Sequence, residues 1–370
     1  MQSLIKILGR EDNTMKINFI LPGLGDSGGI KVALIYAKLI SNHGHDVIIY
    51  SQIKGYNLGR YDKQMINKVH QLYCTLKTIS QYVNSKKRKK CDICYVYQIN
   101  NKSIRDADVT VATAWCTAYD VANLNTSKGK KYYFIQDFEI WDNQKNGLES
   151  YSLPLRKIVI SSWINSKLEE YTGKGNYPVV YNGIDIEKFK NPRKKYKRKG
   201  EKITCLMLNH SLIKKGVQYG MEAFENARKI YTNLELIMFG QDAPSNIPKY
   251  ITYVQDPSQD KIVSLYCSAD IFIFPSLEEG WGLTPIEAMA CKCAVVGTRT
   301  GFVLDIGING ENILISKPMD TDGMSTNILK LINDSQLIRK ISENGYRTAC
   351  MLDWNKSCAK LEQIFFQNLT

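Results

Sequence analysis

The stretch Pro275-Ser-Leu-Glu-Glu-Gly-Trp-Gly-Leu-Thr-Pro-Ile-Glu-Ala-Met-Ala290 follows the apolar run Ile271 to Phe274, and its reading decides the fold. Four consecutive apolar residues bounded by turn residues suit a strand buried on both faces. Thr284, Pro285 and Glu287 stand in the order of an N-cap, a first helical residue and a capping-box partner, so a helix is expected to start there. That box alone would account for Glu287. It leaves Glu279 unexplained, beside Gly280 and Gly282. Two glycines let the backbone approach a ligand, and a carboxylate accepts vicinal hydroxyls. The N–H groups of Gly282, Leu283 and Thr284, at a helix start, suit phosphate oxygens. A ligand with both hydroxyls and phosphates, such as a nucleotide-sugar, would satisfy the whole arrangement.

Outward from this stretch, short β-rich runs alternate with helical ones. Ile17–Leu21, Val47–Tyr50, Val109–Ala112 and Tyr132–Ile135 come first, then Thr204–Leu208, Leu234–Phe239, Ile271–Phe274 and Ala294–Gly297. The alternation predicts an α/β protein with parallel sheets and crossover helices, in two Rossmann-like β/α/β series. Between them the text EKFKNPRKKYKRKGEK, 187 to 202, has no apolar period and contains Pro192 and Gly200. The expected division is an N-terminal domain 1–187, a basic linker 188–202, a C-terminal domain 203–350 and a last helix in 351–370. A second basic run, Lys86 to Lys90, is expected on a surface insertion in the less regular stretch between Gly55 and Asn101.

After Ile17–Leu21 comes Pro22-Gly-Leu-Gly-Asp-Ser-Gly-Gly29, then a helix with Val32, Ile35, Tyr36, Leu39 and Ile40 at 3.6-residue spacing, ended by Gly44. A glycine turn feeding a helix N-terminus suits a phosphate. The letters of G-x-G-x-x-G are present at Gly23, Gly25 and Gly28. No acidic residue closes the next strand to hold a ribose, so this is not a dinucleotide fingerprint.

At 370 residues and 44% hydrophobic composition, the chain is long enough for two cores. No apolar run approaches the ~20 residues that span a bilayer, and Met1 to Asn13 lacks the pattern of a secretory leader. A cytoplasmic protein with ten reduced, mostly buried cysteines is therefore expected. The net charge of +13 is uneven. Residues 1–185 hold 25 Lys and Arg against 16 Asp and Glu, 186–202 hold 9 against 2, and 203–370 hold 15 against 18, giving +9, +7 and −3. Such asymmetry points to an anionic partner on one side: a nucleic acid, an anionic membrane or a phosphorylated substrate.

The run from Pro275 to Ala290, continued by Cys291-Lys-Cys-Ala-Val-Val-Gly-Thr298, resembles the E-x7-E motif of retaining, GT-B-fold glycosyltransferases of family 4. Supporting pieces stand in the family's order: Gly28-Gly29, Asn182-Gly-Ile-Asp185 with Phe189, Lys215-Gly216 and Asp353-Trp354. Val111-Ala-Thr-Ala-Trp115 and Tyr133-Phe-Ile-Gln-Asp-Phe-Glu139 resemble most the subgroup with rhamnosyltransferases of bacterial surface glycans.

The resemblance implies two Rossmann-like domains facing across a cleft, with the last helix packing back on the first domain. It implies transfer of a sugar from a nucleoside diphosphate sugar to a hydroxyl of a growing, lipid-linked or surface, glycan, with no required cofactor or metal. Glu279 would hold donor-sugar hydroxyls, Glu287 the ribose and Lys215 the pyrophosphate. Gly28, Gly29, Gly280, Gly282, Leu283 and Thr284 would supply donor-binding backbone. The family's usual arginine five or six residues before the lysine is replaced here by His210 or Asn209. Its N-domain histidine corresponds to Gln136 or Asp137, of which Asp137 is the candidate catalytic residue. The basic first half and linker would rest on the inner face of an anionic membrane.

Other classes weigh less. A sugar-nucleotide epimerase or a phosphorylase would share the architecture without this acidic motif, and a nucleic-acid-binding protein would show aromatic and basic residues interleaved. Asp106 to Asp108 and Asp320 to Asp322 spell D-x-D, but their positions suit capping better than a metal. Cys91 to Cys94 and Cys291 to Cys293 lack the second pair that zinc requires. His43 and His45 flank a helix stop and read as turn residues.

Overall fold

The computed structural model describes residues 14–24, 27–87, 93–197, 200–242, 247–248, 250–367 and 369, with backbone only for 84–87. The chain divides into two compact units. Unit 1 comprises 1–158, 171–178 and 358–370, and unit 2 comprises 159–170 and 179–357.

The first series contains β1 (Lys16–Leu21), α1 (Gly28–Asn42), β2 (Asp46–Gln52), α2 (Gln64–Lys87), β3 (Ile93–Val96), β4 (Val109–Ala112), α3 (Trp115–Ala122), β5 (Lys130–Ile135), α4 (Gln144–Ser150) and β6 (Arg156–Val159). Its sheet has the order β3-β2-β1-β4-β5-β6, with β1 paired parallel to both β2 and β4. Ile17, Phe19 and Val111 at its centre are fully buried, as strands covered on both faces require. Helix α1 starts at Ser27, whose hydroxyl accepts the Ile30 N–H, and buries Val32, Ala33, Tyr36, Ala37 and Ile40. Tyr36 meets Phe134 edge to face, with ring centroids 5.3 Å apart.

The chain continues through α5 (Ser162–Thr172) and α6 (Ile186–Phe189) into β7 (Ile203–Leu208), α7 (Val217–Ile230), β8 (Leu234–Gly240), β9 (Ile251–Gln255), α8 (Gln259–Ser268), β10 (Ile271–Phe274), α9 (Leu283–Ala290), β11 (Ala294–Thr298), α10 (Val303–Ile306), β12 (Leu314–Ser316), α11 (Thr321–Asn333), α12 (Ser335–Met351) and α13 (Trp354–Phe366). The second sheet has the order β12-β11-β10-β7-β8-β9, with parallel pairs throughout. Its core joins Met207, Leu236, Ile273 and Val296 from the strands to Phe224 of α7 and Ile328 of α11.

Three local expectations change. The stretch between Gly55 and Asn101 is not an irregular insertion, because α2 occupies 24 of its residues. The basic run Lys86–Lys90 itself falls outside the described side chains. The stretch 188–202, read as a linker from its charge, packs on unit 2: Lys194 is 5% exposed, lies 3.7 Å from Asp270 and donates to the Ala269 carbonyl. Tyr196 donates to Glu343 at 2.8 Å. Residues 159–170 and 179–187 also belong to unit 2 rather than to the first series.

From Cys358 onward, α13 belongs to unit 1. Tyr132 donates to the Ile364 carbonyl at 3.3 Å, and its ring lies 4.9 Å from Phe365. The nine described cysteines are free thiols.

Candidate active site

The acidic motif lies in unit 2, where β10 ends and α9 begins. Between them the chain makes a tight loop that a neighbouring loop clamps: Leu277 N–H donates to the Lys214 carbonyl at 2.8 Å. Lys214 and Lys215 sit on a single 3-10 turn that ends at Gly216, whose φ of 62° is left-handed. A side chain on Gly216 would meet the Pro275 carbonyl at 2.1 Å, so only glycine allows the two loops to close on each other. This clamp delivers Lys215 to Glu279. The Nζ lies 2.6 Å from one carboxylate oxygen and 2.9 Å from the other, with the side chains 21% and 15% exposed. Ser276 donates to the same carboxylate at 3.3 Å, and the Glu279 N–H is held by Thr300 Oγ1 at 3.1 Å.

The helix start differs from the expected capping box. Gly282 is the N-cap of α9, with φ 97°, and no side chain caps the helix. Thr284 is therefore already inside the first turn. Glu287 does not reach back to the cap; its Oε2 accepts from the buried Tyr266 hydroxyl at 3.0 Å. The tertiary partner replaces the local one because α8 brings Tyr266 to the same face of α9. Cys291, the C-cap of α9, donates a thiol hydrogen bond to the Phe189 carbonyl at 2.8 Å. The first N–H groups of a helix have no intrahelical acceptor, and here the N-cap is a glycine, which offers no side-chain acceptor. The helix dipole adds partial positive charge at the same point.

Residues that the sequence did not single out shape the loop. Ser161 donates to the Gly280 carbonyl at 2.6 Å. The Trp281 ring stacks on Tyr181 at 4.9 Å and 19°, and Tyr181 in turn donates to Asp305 at 3.0 Å. Asp305 also accepts the Ser162 N–H. Only Trp281 stands within the motif; the others come from distant segments with no local signal.

His210 lies near the pair. Its Nδ1 accepts the Leu212 N–H at 3.1 Å, which places the ring proton on Nε2 in the neutral form. Burial first, and then the Lys215 charge, push its pKa below the ordinary 6.5, partly offset by Glu279. It is thus a neutral imidazole at pH 7, not a substitute for an arginine charge.

Gly28, Gly29 and Asp137 belong to unit 1. Gly28 opens α1, and the Gly29 carbonyl accepts from Gln136 Nε2 at 2.9 Å. Asp137 accepts the Phe138 N–H at 2.9 Å, a local turn contact. The group with the strongest environment there is its neighbour Glu139, which the sequence offered only as part of a resemblance. It is 4% exposed, and one carboxylate oxygen accepts both the Trp115 N–H and the Tyr133 hydroxyl at 2.6 Å. Burial pushes its pKa up to about 8, against the pull of those hydrogen bonds.

The D-x-D triplets have structural partners. Asp106 pairs with Lys128 at 2.7 Å, Asp108 accepts the Lys16 N–H at 2.8 Å, and Asp320 caps α11 by accepting the Gly323 N–H at 2.8 Å. Among the described residues, His43, Cys358 and Glu362 form a group of potential metal ligands in unit 1. The turn histidines are thereby tied to α13: Glu362 lies 2.9 Å from His43 and 3.6 Å from His45.

Residues 188–348 match the model of the family described as glycosyl transferases group 1. An uncharacterised glycosyltransferase of Methanocaldococcus jannaschii is 25% identical over 217 residues, covering 56% of this chain and 58% of that protein. The N-acetyl-alpha-D-glucosaminyl L-malate synthase of Bacillus anthracis is 23% identical over 352 residues, covering 88% and 89%. Among solved structures, Anabaena Alr3699/HepE in complex with UDP and glucose superposes with a TM-score of 0.68 at 14% identity, over 95% of this chain and 100% of that one. That likeness speaks for the fold. Residues 188–348 thus match the group 1 glycosyl transferase model within a two-unit α/β chain of the GT-B fold.

Proposed function

We propose that the chain is a retaining glycosyltransferase that moves a sugar from a nucleoside diphosphate sugar to a hydroxyl of a growing glycan. The observation that carries this reading is the Lys215–Glu279 pair beside the uncapped start of α9. A carboxylate suited to sugar hydroxyls, an ammonium suited to phosphate and a row of backbone N–H groups stand together in one small region. In the proposed complex the donor separates the pair: its hydroxyls engage Glu279, and its diphosphate engages Lys215 and the N–H groups of Gly282, Leu283 and Thr284. Gly280 leaves room for that approach, Glu287 takes the ribose, and His210 offers Nε2–H as a neutral donor. As the glycosidic bond breaks, negative charge grows on the diphosphate, where Lys215 and the helix start stabilise it. No metal enters this scheme.

Gly28 and Gly29 are proposed to complete donor binding from the start of α1, with Asp137 as a candidate catalytic carboxylate in unit 1. The acceptor is proposed to be lipid-linked or part of a surface glycan, of the kind handled by rhamnosyltransferase-like enzymes, and the enzyme to work at the inner face of an anionic membrane. The Bacillus anthracis relative supports the sugar-transfer class by its name, and the Anabaena neighbour supports a UDP donor by its ligands.

A thermal-shift panel of nucleoside diphosphates and their sugars tests the reading. A donor at 100 times its Kd stabilises the fold by ~2.7 kcal/mol. Stabilisation by one diphosphate sugar and its parent diphosphate, lost in Lys215→Ala, supports it. No response to any member of the panel overturns it.

A further inference from the structure

Helix α2 is built the wrong way round for a soluble protein. Its inward face is polar: Gln71 donates to the Gly55 carbonyl at 2.8 Å, Thr75 accepts the Gly55 N–H at 2.8 Å, Gln81 donates to the Leu24 carbonyl at 2.7 Å, and Thr78 is buried. Its outward face carries Met65, Val69, Leu72, Leu76, Ile79 and Val83, between 41% and 76% exposed. At ~100° per residue these six fall within an arc of about 80°, extended on one side by Ile66 and Tyr73. Ser80 falls on that same side, and the next side chains beyond are Lys68 on one edge and Lys77 on the other. Residues 64–83 contain no Asp or Glu, and the sequence continues directly into Lys86-Lys-Arg-Lys-Lys90.

We propose that this face of α2 lies in the interface of an anionic lipid bilayer, with the helix axis parallel to the surface. The occupant follows from charge as well as from apolarity. A second copy of this helix would bring lysine against lysine with no acidic residue to answer, whereas lipid phosphates complement both lysine edges. The two lysines flank the stripe as snorkelling side chains do, stems along the apolar surface and ammonium groups at the headgroups. Spanning is excluded for this helix, because no described helix is long and apolar enough to cross a membrane. The helix stays attached to unit 1 while its apolar face remains available, because glutamine and threonine hydrogen bonds and the Tyr82 ring, 5.0 Å from that of Tyr95, hold its inward side. The inference deepens the membrane association proposed above and rests on it, but does not depend on sugar transfer.

The test uses the full chain and vesicles of phosphatidylcholine alone or mixed equally with phosphatidylglycerol. Wild type should cosediment with the mixed vesicles only. Leu72→Gln with Leu76→Gln keeps good helix formers at exposed positions, and should weaken vesicle binding at least tenfold with the melting temperature unchanged. Binding of a nucleoside diphosphate, measured alongside, reports on the donor site separately. Its loss with vesicle binding intact would strike the proposed function and spare this one. Equal binding to both vesicle types, no binding, or a double variant that binds like wild type would overturn the inference. So would a wild-type dimer that the double variant dissociates, which would assign the face to a second copy.

Discussion

Glu139 and Glu279 each stand just past a parallel strand, four residues beyond the end of β5 and five beyond the end of β10, and the protein treats them in opposite ways. Glu279 is partly open and balanced by the Lys215 ammonium at 2.6 Å. The Glu139 carboxylate is sealed by the Trp115 N–H and the Tyr133 hydroxyl, which both donate to it, while its own backbone N–H donates to the Tyr151 hydroxyl at 2.5 Å. One carboxylate is paired with an ammonium and reachable, the other is driven toward its neutral form, with a pKa of about 8. A chain position past a parallel strand therefore offers a carboxylate, and its neighbours decide whether it serves a ligand or the fold.

The comparison breaks most visibly if Glu139 is truncated. Glu139→Ala strips two buried donors of their acceptor, at ~1 to 3 kcal/mol for each group left unpaired. A large fall in the urea midpoint is expected, with donor binding by the remaining folded protein intact. A stability equal to wild type would show that Glu139 does not hold the start of α3.

Next in size is Glu279→Gln, which keeps shape and removes charge. Losing a charged hydrogen bond costs ~1.5 to 3 kcal/mol, so transfer should slow roughly ten- to 150-fold while the urea midpoint moves little. Unchanged turnover would take Glu279 out of the site. Lys215→Ala should weaken nucleoside diphosphate binding strongly and nucleoside binding little, measured by calorimetry; equal losses would mean a damaged fold rather than a lost phosphate contact.

The pH dependence sharpens the contrast further. The folded pKa of Glu139 is raised from 4.5 to about 8, so the native state holds a proton that the unfolded chain has released. Its contribution to stability is full below 4.5 and is lost as pH rises through about 8. Glu139→Gln should retain both hydrogen bonds on one amide oxygen and flatten that part of the stability profile. An identical slope in wild type and Glu139→Gln would exclude Glu139 as its source. The smallest effect is expected at His210, whose pKa lies below 6.5. Any gain in diphosphate affinity from the imidazolium should appear only on the acid side of that value and vanish as pH rises, and His210→Gln should remove it. A gain that persists to pH 8 would place the titrating group elsewhere.

The eight strands expected from the sequence are the eight inner strands of the two sheets, and the four that the sequence did not reveal, β3, β6, β9 and β12, are their edges. Inner strands such as β10 and β11 are buried along their whole length and are dominated by apolar residues. Edge strands such as β9, with the pattern Ile-Thr-Tyr-Val-Gln, are covered on fewer sides and carry mixed residues. In the same way α1 was legible from its apolar spacing, while α2 was hidden, because a helix whose polar side faces inward has no reason to follow the pattern of a core helix.

The sequence by itself determined the parallel α/β plan, the two glycine-bearing turns and the chemical types gathered in the acidic motif, since each rests on local spacing and side-chain chemistry. Tertiary structure decided what those groups meet. It set Lys215 on Glu279 through the Gly216 turn, gave Glu287 to Tyr266 instead of to a capping box, sealed Glu139 and folded Lys194 of the basic run onto Asp270. The pairs Lys215–Glu279, Tyr266–Glu287, Trp115–Glu139 and Lys194–Asp270 lie 21 to 76 residues apart in the chain, beyond the reach of any local pattern, and only the packing of helices on sheets brings them together.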